Sequence, residues 1–155
     1  MQKLDSDQTT SFVPDLKIPI RVGFVKSNGV PAVISLWYVC KYGKIYCAVQ
    51  KTAKIVSYLQ KNPMCGFEIA ADKPPYKGMR AEGNAHILNE TGAYVLDLLI
   101  DKYLGEKESS LTKFLRNNSK AEVAIEITPQ KIFNYDYSER MNGALWHGKG
   151  SGLSY

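Results

Sequence analysis

The chain has 155 residues, 45% of them apolar and 23% charged, with 20 basic side chains against 15 acidic ones and a net charge of +5. That length suits one domain, large enough to bury a core without disulfide or metal staples. No apolar run reaches the roughly 18 residues that span a bilayer, and the composition is neither fibrous nor disordered. The opening MQKLDSDQTTSF is polar and lacks the apolar centre of a secretory signal, so a cytoplasmic location is expected. Three cysteines (Cys40, Cys47 and Cys65), no CxxC pair and only two histidines (His86 and His147) argue against a metal cluster. Reduced thiols packed in strands are expected instead. The 16 lysines and four arginines are scattered without a basic run. That pattern suits a small anionic ligand better than nucleic acid.

The first element in chain order is a strand in IPIRVGFV (Ile18 to Val25), followed by an Asn-Gly turn in SNG. PAVISLWYV (Pro31 to Val39) is a nearly continuous apolar run, which predicts one strand buried on both faces. KYGK turns the chain and IYCAV (Ile45 to Val49) returns it, so these strands are expected to form a β-meander. Thr52 to Asn62 predicts a helix, with Thr52 as its N-cap, Ile55, Val56 and Leu59 on its apolar face, and Pro63 stopping it. CGFEIAA is a strand, DKPPYKG a loop and MRAEGNAHIL a long alternating strand. ETGAYVLDLLIDKYLG predicts the clearest helix, ended by Gly105. SSLTKFLRNN is a shorter one, capped by Ser109 or Ser110. AEVAIEI and KIFNYDY predict two last strands, with Val123, Ile125 and Ile127 facing inward. The Gly-rich end from 138 to 155 is expected to be irregular, and residues 1–16 flexible. Six or seven antiparallel strands with short turns, and helices laid against them, predict a barrel.

Chemistry concentrates at AVQKTAKIVSYLQKNP. A helix start offers backbone N–H groups without intrahelical partners, at the positive end of the dipole. A phosphate fits there, with the Thr52 hydroxyl donating and Lys54 adding a point charge. A lysine in a first helical turn faces a positive end, which an anion would relieve. The alternative is an ordinary Thr-capped helix beside a solvated lysine. Other residues also have two readings. Trp37 is either core or a ligand contact, and Arg80 either a solvated strand residue or an anion contact. His86, six residues on, shares the Arg80 face. Glu82 is expected on the opposite face. The pair Trp146-His147 either closes over a neighbouring site or forms a free end. No Ser/His/Asp arrangement, paired carboxylates or GxxxxGKS loop occurs, which suits an enzyme whose cofactor carries the chemistry.

The pieces LWYV, YGKIYCAV, TAK, LQKNP and YKGMRAEGNAHIL, in that order and spacing, resemble the FMN-binding split barrels related to pyridoxamine 5'-phosphate oxidase. The resemblance covers roughly Arg21 to Tyr137. It implies a single mainly β domain with flanking helices, a six- to seven-stranded antiparallel split β-barrel over residues 1–155. It also implies a homodimer with the cofactor at the subunit interface. Thr52, Ala53 and Lys54 would hold the phosphate of FMN. Ile34, Ser35, Leu36 and Trp37 would line the flavin ring, with Ala48 and Val49 below it. Lys77 and Arg80 would face the ring or the substrate. Many relatives carry an arginine where Ala53 stands, so this chain lacks one of the phosphate contacts the resemblance would imply. No arginine of the oxidase type precedes Trp146-His147, so pyridoxamine phosphate is not the expected substrate. The implied function is an oxidoreductase acting on a small molecule. The alternatives are a reductase using the deazaflavin coenzyme, or a non-enzymatic flavin- or haem-binding module with His86 or His147 as haem ligand.

Overall fold

Hairpins build most of the sheet. In the computed structural model, which describes residues 16–141, they account for the first four strands. Strand β1 (Ile20–Val25) returns as β2 (Pro31–Leu36), and β3 (Val39–Lys41) returns as β4 (Lys44–Gln50). The second turn has φ 54° at Tyr42 and 71° at Gly43, the left-handed pair that matches strand twist in a two-residue hairpin. Helix α1 (Lys54–Lys61) leads to β5 (Met64–Ala70) and β6 (Lys77–Leu88). Helices α2 (Gly92–Leu104) and α3 (Ser110–Asn117), then a short 3-10 turn at Ser119–Ala121, precede the long strand β7 (Glu122–Asp136). Residues 138–141 form a helical turn, where an irregular tail was expected. Residues 1–15 and 142–155 lie outside the described part, and with them Trp146 and His147.

The seven strands form one sheet, every pairing antiparallel, in the order β2-β1-β5-β6-β7-β4-β3. It is mainly β and not closed by hydrogen bonds, with β2 and β3 as its two edges. This corrects the expected meander. PAVISLWYV is not one strand, because it breaks at Trp37-Tyr38 and its halves join opposite edges. Nor is β2 buried on both faces. Pro31, Val33 and Ser35 point outward, and Val33 is 72% exposed. The last two expected strands are one, because β7 runs on through Pro129 across a register shift opposite Glu82/Gly83. A proline is tolerated where the ladder is already interrupted.

The inner face of the sheet holds the main core. Ile20, Val22, Ile45, Cys47, Phe67, Ile69, Met79, Ile125 and Ile127 are buried there. Helix α1 adds Ile55, Val56 and Leu59, and Tyr58 stacks on Phe24 with ring centroids 5.8 Å apart. Burial contributes about 1.5–3 kcal/mol for each large apolar side chain. The outer face is divided. Over β4 and the first half of β7 it is covered by α2, whose Val95 and Leu99 pack with Ala124, Leu88, Tyr46 and Ala48. The N-terminus of α2 sits so close to β7 that a Cβ on Gly92 would lie 2.1 Å from the Glu122 carbonyl oxygen. Over β2, β1, β5 and the second half of β7, no described helix covers the outer face. Val33, Met64 and Phe133 stand exposed there.

The break between β2 and β3 is fastened by the end of α2. Lys102 Nζ donates to the Tyr38 carbonyl (2.9 Å) and sits 3.7 Å from the Tyr38 ring centroid. The Tyr103 hydroxyl donates to the Ile18 carbonyl (2.7 Å) and accepts from the Tyr38 N–H (3.3 Å). The Tyr103 ring stacks on Trp37, centroids 4.9 Å apart and planes 5° apart. Tyr103→Phe keeps the stack and removes both hydroxyl bonds. It should lower stability by about 1–3 kcal/mol through the groups left unsatisfied, read as a lower urea midpoint with an unchanged slope. An unchanged midpoint would show that the crossing is held without the hydroxyl.

Candidate functional site

The expected site residues fall into three groups. Ile34, Leu36, Val49 and Ala53 turn inward and pack in the main core, so only their backbones can meet a ligand. Trp37 and Ala48 lie on the other side of the sheet, beneath α2. Trp37 is thus a packing residue with a half-buried face, stacked on Tyr103. Thr52 and Lys54 are exposed at the start of α1, and Ser35 and Arg80 are exposed on the bare part of the outer face. Lys77 is exposed at the start of β6, on the opposite side of the strand from Arg80, so the structure does not bring the two together.

The helix start differs from its expected form. Thr52 is not the N-cap. Ala53 occupies that position in extended conformation (φ −62°, ψ 136°) with no side-chain cap. The chain leaving β4 is held by Lys51 N–H on the Ala121 carbonyl and Ala53 N–H on the Gln50 carbonyl, each 2.8 Å. This turn carries Thr52 one residue too early to reach back to the helix, which begins at Lys54 and ends at Lys61 with Asn62 as its C-cap. No acidic residue stands in the first turn to offset the dipole. A hydroxyl not used for capping and a lysine at the first helical position are therefore exposed together at the positive end of the helix.

A second polar site lies on the bare face. Strand register aligns one outward row across five strands, Ser35–Arg21–Glu68–Arg80–Phe133. Glu82, two residues from Arg80, is exposed on this same face, which corrects the expectation that it points the other way. The Arg80 guanidinium lies over the Phe133 ring (4.7 Å) and near the Tyr135 ring (5.8 Å). The Tyr135 hydroxyl donates to Glu68 Oε2 at 3.0 Å. It reaches across β6 because the residue beneath it is Gly78, where a Cβ would come within 2.7 Å of that hydroxyl. Burial, then the Glu68 hydrogen bond, pushes the Tyr135 phenol up to about 12. Beside this row is an open cleft of about 450 Å³, lined among others by Arg21, Glu68, Asp72, Tyr76, Arg80 and Tyr135. Arg21, Glu68 and Tyr135 were not singled out in the sequence. The available signal was period two, since Arg21 stands between the inward Ile20 and Val22.

Among the remaining candidates, the cysteines are packing residues. Cys47 and Cys65 are buried and Cys40 half-buried, all free and in strands, as expected. Burial pushes the Cys65 thiol up to about 11 and the other two upward as well, so none is an activated nucleophile. His86 is exposed and pairs in register with Glu126, which Lys44 binds at 2.8 Å and Tyr46 at 2.9 Å. The Lys44 hydrogen bond holds the Glu126 carboxyl below its ordinary range. Among the described residues, no group of three or more His, Cys, Asp or Glu could hold a metal ion.

No family model matches the chain, and no curated protein matches it in sequence. Solved structures do match. The conserved hypothetical protein Rv2991 from Mycobacterium tuberculosis aligns with a TM-score of 0.72 at 16% identity, over 99% of this chain and 94% of that one. An F420 reductase aligns with a TM-score of 0.65 at 18% identity, over 80% and 94%. A Clostridium acetobutylicum protein of the pyridoxinephosphate oxidase family, related to general stress protein 26, aligns with a TM-score of 0.61 at 17% identity, over 86% and 92%. The fold is the split barrel. At such identities the likeness extends to architecture alone. Among the described residues no helix is long and apolar enough to cross a membrane.

Proposed function

We propose that this split barrel is an FMN-binding oxidoreductase of the pyridoxamine 5'-phosphate oxidase-like class, acting on a small molecule. The observation that carries the reading is the start of α1. There Thr52 leaves its hydroxyl uncommitted, Lys54 occupies the first helical position, and the chain before it runs directly from β4. These groups suit the phosphate of FMN. Thr52, Ala53 and Lys54 would hold that phosphate, and the backbones of Ile34 to Trp37 and of Ala48 and Val49 would border the ring. The flavin would supply hydride chemistry, and the protein would bind and orient it. A deazaflavin coenzyme is the second reading, favoured by the F420 reductase of the same fold.

The cofactor would lie between two copies of the chain. Gln50, just before the Thr52–Lys54 turn, pairs with Glu122 at the start of β7. Lys77 pairs with Asp136 at its end and Arg80 with Phe133. On the order of 35–45 Å of strand path separates these positions. A cofactor touching both Lys54 and Arg80 is therefore best served by Lys54 of one copy and Arg80 of another. The bare outer face, with Val33, Met64 and Phe133 exposed, is the surface a second copy would bury. Light scattering on the purified protein should give the mass of two chains, and the mass of one chain would refute the shared site.

Lys54→Ala should weaken FMN binding by about 1.5–3 kcal/mol, the range for a hydrogen bond to a charged group, measured by fluorescence titration of the flavin. Lys54 is exposed and outside the core, so folding should be unaffected. An unchanged affinity would remove Lys54 from the site, and failure of the parent protein to bind FMN or the deazaflavin coenzyme would refute the reading.

A further inference from the structure

We infer that the cleft between Arg21 and Arg80 binds a small zwitterion, a molecule carrying both a carboxylate and an amine on a compact planar body. The cleft is a consequence of small residues. Ala70 and Gly78 face each other in register across β5 and β6, and Tyr135 is opposite Gly78 on β7. With no side chain at Gly78, the Tyr135 phenol lies flat over β6 and ends on Glu68. The opening of about 450 Å³ is large enough for a small organic ligand.

Its charges are arranged but not consumed. Arg21 and Arg80 flank Glu68 in one row, yet neither guanidinium lies within ion-pair distance of a carboxylate among the described residues. Arg80 is instead drawn onto the Phe133 and Tyr135 rings, which fixes its plane and leaves its N–H fork for a ligand. Glu68 accepts a hydrogen bond from Tyr135 through Oε2, and no donor among the described residues reaches Oε1. The charged lining is two arginines against Glu68 and Asp72. A purely anionic or purely cationic ligand would leave one pair unanswered. A carboxylate held by the guanidinium groups of Arg21 and Arg80 and an ammonium on Glu68 answer both, with the ligand body against Tyr135 and Tyr76.

This site does not depend on a bound flavin. It shares Arg80 with the proposed cofactor groove and lies in one row with Ser35, so its ligand would lie next to that groove and Arg21, outside the groove, is the residue to test. The test is calorimetric titration of the full chain with three probes of one shape: L-phenylalanine, 3-phenylpropanoate, which lacks the amine, and phenethylamine, which lacks the carboxylate. Phenylalanine should bind saturably and about ten-fold or more tighter than either single-charge probe. Arg21→Gln should cost phenylalanine and phenylpropanoate about ten-fold each and leave phenethylamine unchanged. Glu68→Gln, which keeps an oxygen for Tyr135, should cost phenylalanine and phenethylamine about ten-fold each and leave phenylpropanoate unchanged. Arg21 is exposed and Glu68 is outside the core, so circular dichroism should report both variants folded. Absence of saturable phenylalanine binding, equal affinity for the three probes, or indifference to both substitutions would overturn the proposal. Flavin binding is read separately by absorbance, so loss of either reading leaves the other standing or falling by its own titration.

Discussion

The architecture depends on one fastening, the hold that the last turn of α2 keeps on Trp37 and Tyr38. Two edge strands that are neighbours in sequence would ordinarily pair with each other. Here the chain leaves β2, crosses to the far edge of the sheet and begins β3 there. Lys102 on the Tyr38 carbonyl, Tyr103 between Ile18 and Tyr38, and the Trp37–Tyr103 stack supply the bonds that this non-ladder backbone would otherwise lack. Burying those groups unsatisfied would cost about 1–3 kcal/mol each. With the crossing fixed, the sheet stays open, its inner face closes on one core and its outer face is divided between helix and solvent.

That division decides where function can reside. The half under α2 is structural: Ala48, Ala124 and Leu88 are small or apolar and fit the helix. The bare half alternates differently. Its outward residues are Arg21, Gly23, Gly66, Glu68, Arg80 and Glu82, with large apolar side chains at the margins. Glycines lower the surface, charges line it and exposed apolar residues border it. A surface of that kind is costly to leave in water as a contiguous patch, and it suits a ligand beside a second copy of the chain.

Much of this was legible in the sequence and some was not. Hairpin turns, the apolar stripe of α1, the α2 helix ending at Gly105 and the alternation Val123, Ile125, Ile127 are local signals, and each appears in the structure. Ser109 caps α3 through the Thr112 N–H, as its position suggested. The face of Glu82 was legible from the two-residue period and was misread, whereas the other failures were decided by partners far along the chain. Nothing within PAVISLWYV shows that Lys102 and Tyr103 will break it in two. Pro129 looked like a strand boundary because its tolerance depends on a register shift against Glu82 and Gly83. Thr52 has the chemistry of a cap, but the turn tied to Ala121 displaces it. The Arg21–Glu68–Arg80 row is a product of register, visible only when three strands are laid side by side.

The functional account joins a fold shared with flavin-type proteins to a helix start whose polar groups are left unspent. Its central claim is that this chain carries a phosphate-bearing flavin. The most direct test is the absorption spectrum of the freshly purified protein, with the cofactor released by denaturation and identified by mass. The account predicts a yellow protein that releases FMN, or one that takes up FMN stoichiometrically when supplied. A colourless protein that binds neither FMN nor the deazaflavin coenzyme on titration would contradict it.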